Sequence, residues 1–239
     1  MAWPIGVTLR IGHRTSDGHK PDTYGSIESI VVQSVTPLLS LHHHPLTHPE
    51  AWATIEAVGA GAIVLLNIAT GPGSGLDPTW TTATHRLVRA GATMIGYVDL
   101  AFGSRAIEHV RAELGRWAGY PIRGIFFDQA PTSPYSIGPV AMAVRAARRI
   151  GYDTLLVNPG RPTDSIYRGL GAVLCTFEGA WEDYRQGTAE GVRHGDAHLV
   201  HSVPVDQIRA AHELMGGRGA RFGLATSERT LQPAQAIAV

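Results

Sequence analysis

Gly124-Ile125-Phe126-Phe127-Asp128-Gln129-Ala130-Pro131 is an apolar run that stops at a carboxylate, an amide and a proline. Such a run reads as a buried strand that hands an acid to its carboxyl end. In a parallel barrel that end carries the chemistry, so Asp128 is a catalytic candidate. Asp99 closes another apolar run, and Asn67 and Asn158 fall near the ends of two more, where they can hydrogen-bond a hydroxyl-rich or amide-bearing ligand. Tyr97 and Trp181 offer rings that could stack on a sugar face or pack in the core. His42-His43-His44-Pro45 ends the first run. Because neighbours on a strand point to opposite sides, only His42 and His44 can share a pocket, as hydrogen-bonders or a base near neutral pH. His201 near a later strand end is an equivalent candidate. The histidine run lacks a specific ligand spacing, so no metal site is expected. No cofactor is expected either: Gly71-Pro72-Gly73-Ser74-Gly75 has neither a Walker lysine nor Rossmann spacing, and no Gly-x-Ser-x-Gly elbow occurs.

The elements that must position these residues alternate. Short apolar runs at Pro37–His42, Ala62–Ala69, Ala92–Leu100, Ile122–Gln129, Thr154–Asn158, Ala172–Glu178, His198–Val203 and Ala220–Thr226 predict eight strands. Three- and four-residue apolar spacing predicts helices over Pro49–Val58, Pro78–Ala90, Arg105–Ala118, Ile137–Ile150 and Val205–Met215, with the sixth and seventh connections short or irregular. Eight such units imply an α/β fold, a single (β/α)8 TIM barrel over residues 37–239. Ser104 and Asp164 are expected helix caps. Residues 1–36 stand outside the repeat and read as an N-terminal arm, an extension that could lid the site or make a homo-oligomer contact.

Pro37–Leu41, Asn67–Gly73, Gly96–Asp99, Gly124–Pro131, Asn158–Gly160 and Phe177-Glu178 occur in the order and spacing of spherulin-4-like proteins, which this chain resembles over roughly residues 37 to 230. That family is similar to TIM-barrel glycoside hydrolases that cleave N-acetylgalactosamine-containing polysaccharide. Its usual motif is Phe-Phe-Asp-Glu on the fourth strand with a further Glu on the sixth. The resemblance implies Asp128 as nucleophile or charge stabiliser and Glu178 as acid/base, two carboxylates across a glycosidic bond. Gln129 stands where the family carries Glu. An amide keeps hydrogen bonding but holds no charge, which leaves two further readings open. One is a repurposed intracellular barrel enzyme performing a cyclisation, elimination or rearrangement on a small metabolite. The other is a non-catalytic sugar binder.

Composition narrows the partners. A chain of 239 residues with 44% hydrophobic content can bury one full core. Net charge is zero and pI about 7.2, without a basic stripe, so a small-molecule or glycan substrate is expected and neither nucleic acid nor membrane. Cys175 is the single cysteine, which excludes an internal disulfide and a cysteine-based zinc site. The lone lysine, Lys20, excludes Schiff-base chemistry elsewhere. The N-terminal residues lack a signal-peptide pattern, and a cytoplasmic location is expected.

Overall fold

Strands that are apolar on both faces need cover on both faces, and the chain supplies it by closing its sheet. The structure, a computed structural model, describes residues 35–187 and 191–229. The arm expected over residues 1–36 lies outside that range except for its last two residues. Eight parallel strands close in chain order: β1 (Thr36–Leu41), β2 (Ile63–Leu66), β3 (Thr93–Asp99), β4 (Gly124–Asp128), β5 (Thr154–Val157), β6 (Val173–Ala180), β7 (Ala197–His201) and β8 (Phe222–Ala225). Around them, among the described residues, run α1 (Pro49–Val58), α2 (Pro78–Arg89), α3 (Ile107–Trp117), α4 (Ile137–Ile150), α5 (Trp181–Gln186) and α6 (Ile208–Gly217). The architecture is the (β/α)8 barrel. No described helix is long and apolar enough to cross a membrane.

Local chemistry sets these boundaries. Asp77 caps α2 by accepting from Thr79 N and Trp80 N, with Pro78 in the first turn and Arg86 and Arg89 in the last. Along α4, Val140, Ala143, Val144 and Ala147 face the barrel, and Gly151 at φ 108° ends the helix in a left-handed turn. Asp164 accepts from Ile166 N and caps the 3-10 turn Ser165–Leu170. Ser104 does not cap α3, which starts after Ala106. Its hydroxyl instead donates to Ala101 O and closes the turn Ala101–Gly103. The irregular connections are the fifth, a 3-10 turn, and the sixth, the six-residue α5. The seventh carries the ten-residue α6.

Packing forms two layers. Leu38, Leu65, Ile95, Tyr97, Phe126, Leu156, Cys175 and Leu199 fill the barrel, while residues such as Leu66, Met94, Trp117, Phe127 and Val157 meet the helices. Gly96 on β3 makes one of these contacts possible. A Cβ there would lie 2.6 Å from the Trp117 ring, whose indole Nε1 donates to Tyr97 O at 2.9 Å. Among the described residues, strain gathers at one end. The non-glycine residues at positive φ there are Thr70, Ala101, Phe102, Gln129 and Ser202, all in segments leaving the carboxyl ends of strands. Each costs about 1–2 kcal/mol, so the rim is where the fold tolerates unfavourable backbone.

Candidate active site

On β4, alternation turns Phe126 and Asp128 into the barrel and Phe127 toward the helices. Asp128 is buried, and Tyr97 Oη donates to its Oδ2 at 2.8 Å. One residue past β5, Asn158 donates through Nδ2 to Asp128 Oδ1 at 2.7 Å and to Glu178 Oε2 at 2.6 Å. The amide orientation is fixed because Asn158 Oδ1 accepts from Gly160 N at 2.9 Å. Gly160, at φ 69°, folds that loop back, and its carbonyl accepts from Glu178 N at 3.0 Å. Two carboxylates thus share one amide nitrogen, and their bonded oxygens stand within ~5 Å of each other.

Glu178 reaches the lumen by a different route. Cys175 already faces inward, so plain alternation would send Phe177 inward and Glu178 outward. A bulge intervenes: Cys175 pairs with Ala197 and Phe177 with the next residue, His198, leaving Thr176 as the extra residue of β6. Phe177 then packs outward on Tyr184, and Glu178 lies beside Leu199 in the lumen. The bulge is anchored. Thr176 Oγ1 donates to Asp196 Oδ2 at 2.9 Å, and Arg193 N donates to the same oxygen at 2.8 Å. Arg168 forms a two-pronged ion pair with Asp196, which is fully buried.

These groups line a cavity of about 30 Å³ on the barrel axis, with Ser40 and Asn67 on its far side and Leu38, Leu65, Phe126, Leu199 and Leu224 as its apolar wall. Burial pushes the Glu178 carboxyl up from its ordinary range and the Asp128 charge adds to this, while the Asn158 hydrogen bond opposes it. Burial, then the neighbouring Asp128, holds the Tyr97 phenol well above its ordinary value, so it stays a neutral donor. Burial likewise raises the Cys175 thiol, which packs in the core. The arrangement offers an acid with a raised proton affinity beside a carboxylate held by two donors.

The structure brings Asp128, Glu178, Asn158, Asn67 and Tyr97 to one cavity, with Tyr97 as a hydrogen-bond donor rather than a stacking ring. Asn67 also serves its loop, accepting from Gly71 N at 2.9 Å. The other candidates do not line the cavity. Asp99 accepts from Ala101 N at 2.6 Å and so holds the turn after β3. Gln129 takes φ 49° directly after β4, which removes its side chain from the alternation that aims Asp128. Trp181 is buried against α6 residues, its Nε1 donating to Gln207 at 2.7 Å, because α5 begins at that residue and turns the ring behind the sheet. His42 follows the end of β1, where alternation stops. It packs on His43 at 4.2 Å, and burial lowers its pKa. His44 accepts from Leu46 N at 3.2 Å and meets Trp80 edge-on. His201 bonds Ser202 Oγ at 3.0 Å. Among the described residues, no three of His, Cys, Asp and Glu gather as metal ligands. Ser40 is the lining residue that sequence reasoning missed. Its signal was a polar residue two positions from Leu38 on the inward face of an apolar strand.

Comparison with known proteins agrees with this barrel. Spherulin-4 of Physarum polycephalum is 29% identical over 177 residues, covering 72% of this chain and 53% of its own length, so the chain spans about half of that relative. The crystal structure of Aspergillus clavatus Sph3 in complex with GalNAc superposes with a TM-score of 0.73 at 22% identity, covering 82% of this chain and 90% of that one, a likeness of fold. The profile of the spherulation-specific family 4, Spherulin4, matches residues 37–228. With both acids, the bridging amide, β2 to β8 and all of β1 but its first residue inside that match, the chain belongs to the spherulation-specific family 4.

Proposed function

We propose that this barrel is a glycoside hydrolase-type enzyme acting on an N-acetylgalactosamine-containing glycan. The observation that carries this reading is the convergence of Asp128 and Glu178 on the single Asn158 amide. Glu178, whose pKa is raised by burial, donates its proton to the glycosidic oxygen as the carbon–oxygen bond breaks. Asp128 attacks the anomeric carbon or balances its developing positive charge. The cleaved sugar alcohol departs; water then adds at that carbon as any bond to Asp128 breaks and frees its carboxylate, and the water proton passes to the Glu178 carboxylate. The close spacing suits the retaining geometry, in which the carboxyl groups stand about 5–5.5 Å apart. Gln129 does not line the cavity, so its amide takes no carboxylate from the lumen. The GalNAc in the complex of the structurally similar Sph3 supports the choice of sugar.

The test is hydrolysis of N-acetylgalactosamine oligosaccharides by the wild type, Asp128→Asn, Glu178→Gln and Gln129→Glu, followed by product mass. We expect wild-type cleavage and a loss of about 10²–10⁴-fold in kcat for either carboxylate change. An inactive wild type with an active Gln129→Glu would overturn this reading in favour of a barrel diverted to binding or to a small metabolite.

A further inference from the structure

The rim holds a second concavity that the carboxylate pair does not use. Phe102, Ala130, Pro131, Pro159 and Arg161 line a groove of about 270 Å³ built from the segments that follow β3, β4 and β5. Two of those segments also carry the site: Ala130 and Pro131 come just after Asp128, and Pro159 directly follows Asn158. Cavity and groove are therefore held by the same short stretches of chain.

Phe102 is the unusual member. The residue is 69% exposed although it is large and apolar. Its backbone sits at φ 53°, a left-handed conformation that a bulky residue adopts only when its surroundings impose it. They do so here: Ala101 N donates to Asp99 Oδ1, Phe102 N to Gln129 O at 2.7 Å, and Gly103 N to Leu100 O at 2.8 Å. Gln129 is itself left-handed at φ 49°. Strained backbone from two segments, one of them directly following Asp128, is thus spent on exposing a large aromatic residue at the carboxyl end of the strands. Arg161 is exposed and forms no ion pair among the described residues. Its guanidinium has donors and no acceptor.

Resting on the glycan reading above, we infer that this groove is a second saccharide subsite. Phe102 stacks on the C–H face of the unit next to the one held at the carboxylates, and Arg161 donates to an acceptor on that unit, a hydroxyl or an acetamido carbonyl. A cationic donor also selects against a protonated free amine at the same position. The subsite therefore reads both chain length and N-acetylation.

Calorimetric binding of N-acetylgalactosamine, its disaccharide and its trisaccharide to the Glu178→Gln protein, which leaves the ligands intact, tests this. The oligosaccharides should bind about tenfold tighter than the monosaccharide, the range that one stacked ring provides. Adding Phe102→Ala should erase that gain while leaving monosaccharide affinity unchanged, and Phe102→Tyr should keep it. Arg161→Gln, an exposed change that spares the fold, should cost about threefold on oligosaccharides and reduce discrimination against a de-N-acetylated trisaccharide. A length-dependent gain untouched by both Phe102→Ala and Arg161→Gln, or equal weakening of monosaccharide and trisaccharide, overturns the subsite alone. Failure of the wild type and Glu178→Gln to bind any of the three sugars overturns the amino-sugar reading and the subsite with it.

Discussion

Strands β4 and β6 deliver their acids to the same cavity in unlike ways. On β4, regular pleating places Phe126 and Asp128 inside, and the direction follows from the strand alone. On β6, the extra residue Thr176 reverses the inward face between Cys175 and Glu178, and a buried Asp196–Arg168 pair outside the barrel holds that reversal. One acid is aimed by backbone periodicity and the other by a polar network. Glu178 is accordingly the more breakable half of the pair: besides Asn158, its orientation depends on residues that do not line the cavity.

Removing the anchor gives the largest expected effect. Asp196→Ala leaves the Arg168 guanidinium and the Thr176 hydroxyl without their acceptor. The Asp196 side chain is 1% exposed, whereas that of Arg168 is 32% exposed and can partly rehydrate. Breaking a buried pair costs about 3–5 kcal/mol, and the exposure of Arg168 places the loss near about 3 kcal/mol. Urea denaturation should register this as a lower midpoint, while the matched change on the solvent-facing pair Arg123–Asp153 should move it by less than about 1 kcal/mol. Equal shifts from the two pairs would remove the distinction between β6 and an ordinary surface.

The outer side of β7, against β6, has a pH dependence of its own. His198 pairs with Phe177 in register, and its Nδ1 bonds Tyr184 Oη at 2.7 Å. It is fully buried, with no partner at Nε2 among the described residues. Burial, aided by Arg218 and opposed by Asp196, lowers its pKa from 6.5 to about 4. The unfolded chain therefore takes up this proton first as pH falls, and stability is lost between about pH 6.5 and pH 4. The full loss from this group is about 3 kcal/mol. His198→Gln should flatten that acid limb in melts taken from pH 7 to pH 4. An unchanged slope would mean that His198 titrates alike in both states.

The same contrast accounts for what the sequence made legible. Strand and helix cores were readable because both periods run uninterrupted through them, as in Ile137–Ile150 and Thr93–Asp99. Asp128 and Asn158 were readable as rim groups because they continue the inward alternation of Phe126 and Leu156. At His42 and Trp181 the strand has already ended, and local packing decides the direction instead. Gln129 is a candidate through the family motif, whose Glu it replaces, but its left-handed backbone breaks the alternation that aims Asp128. The bulge at Thr176 carries no local sequence signal, since its anchor is Asp196, twenty residues away and directly before the next strand. Ser40 shows the converse: a small polar residue at an inward position was informative and easily passed over.

The smallest effect concerns Glu178 itself and isolates the bulge from general stability. Burial raises its pKa, so on raising the pH the unfolded chain ionises at this residue before the folded protein does. Folding stability must then fall as the pH climbs from the ordinary glutamate range through the raised folded value, and the penalty persists above it. Glu178→Gln removes that dependence, and the stability difference between the two proteins should grow in favour of the variant across that window. Thr176→Val keeps the shape of residue 176 but withdraws its hydrogen bond to Asp196. If that bond fixes the inward turn of the strand, the Glu178 carboxyl, followed by carbon-13 NMR titration, should move back toward its ordinary range as it gains solvent. A Glu178 titration unmoved by Thr176→Val would show that Asn158 and the Gly160 loop suffice to hold the acid inward.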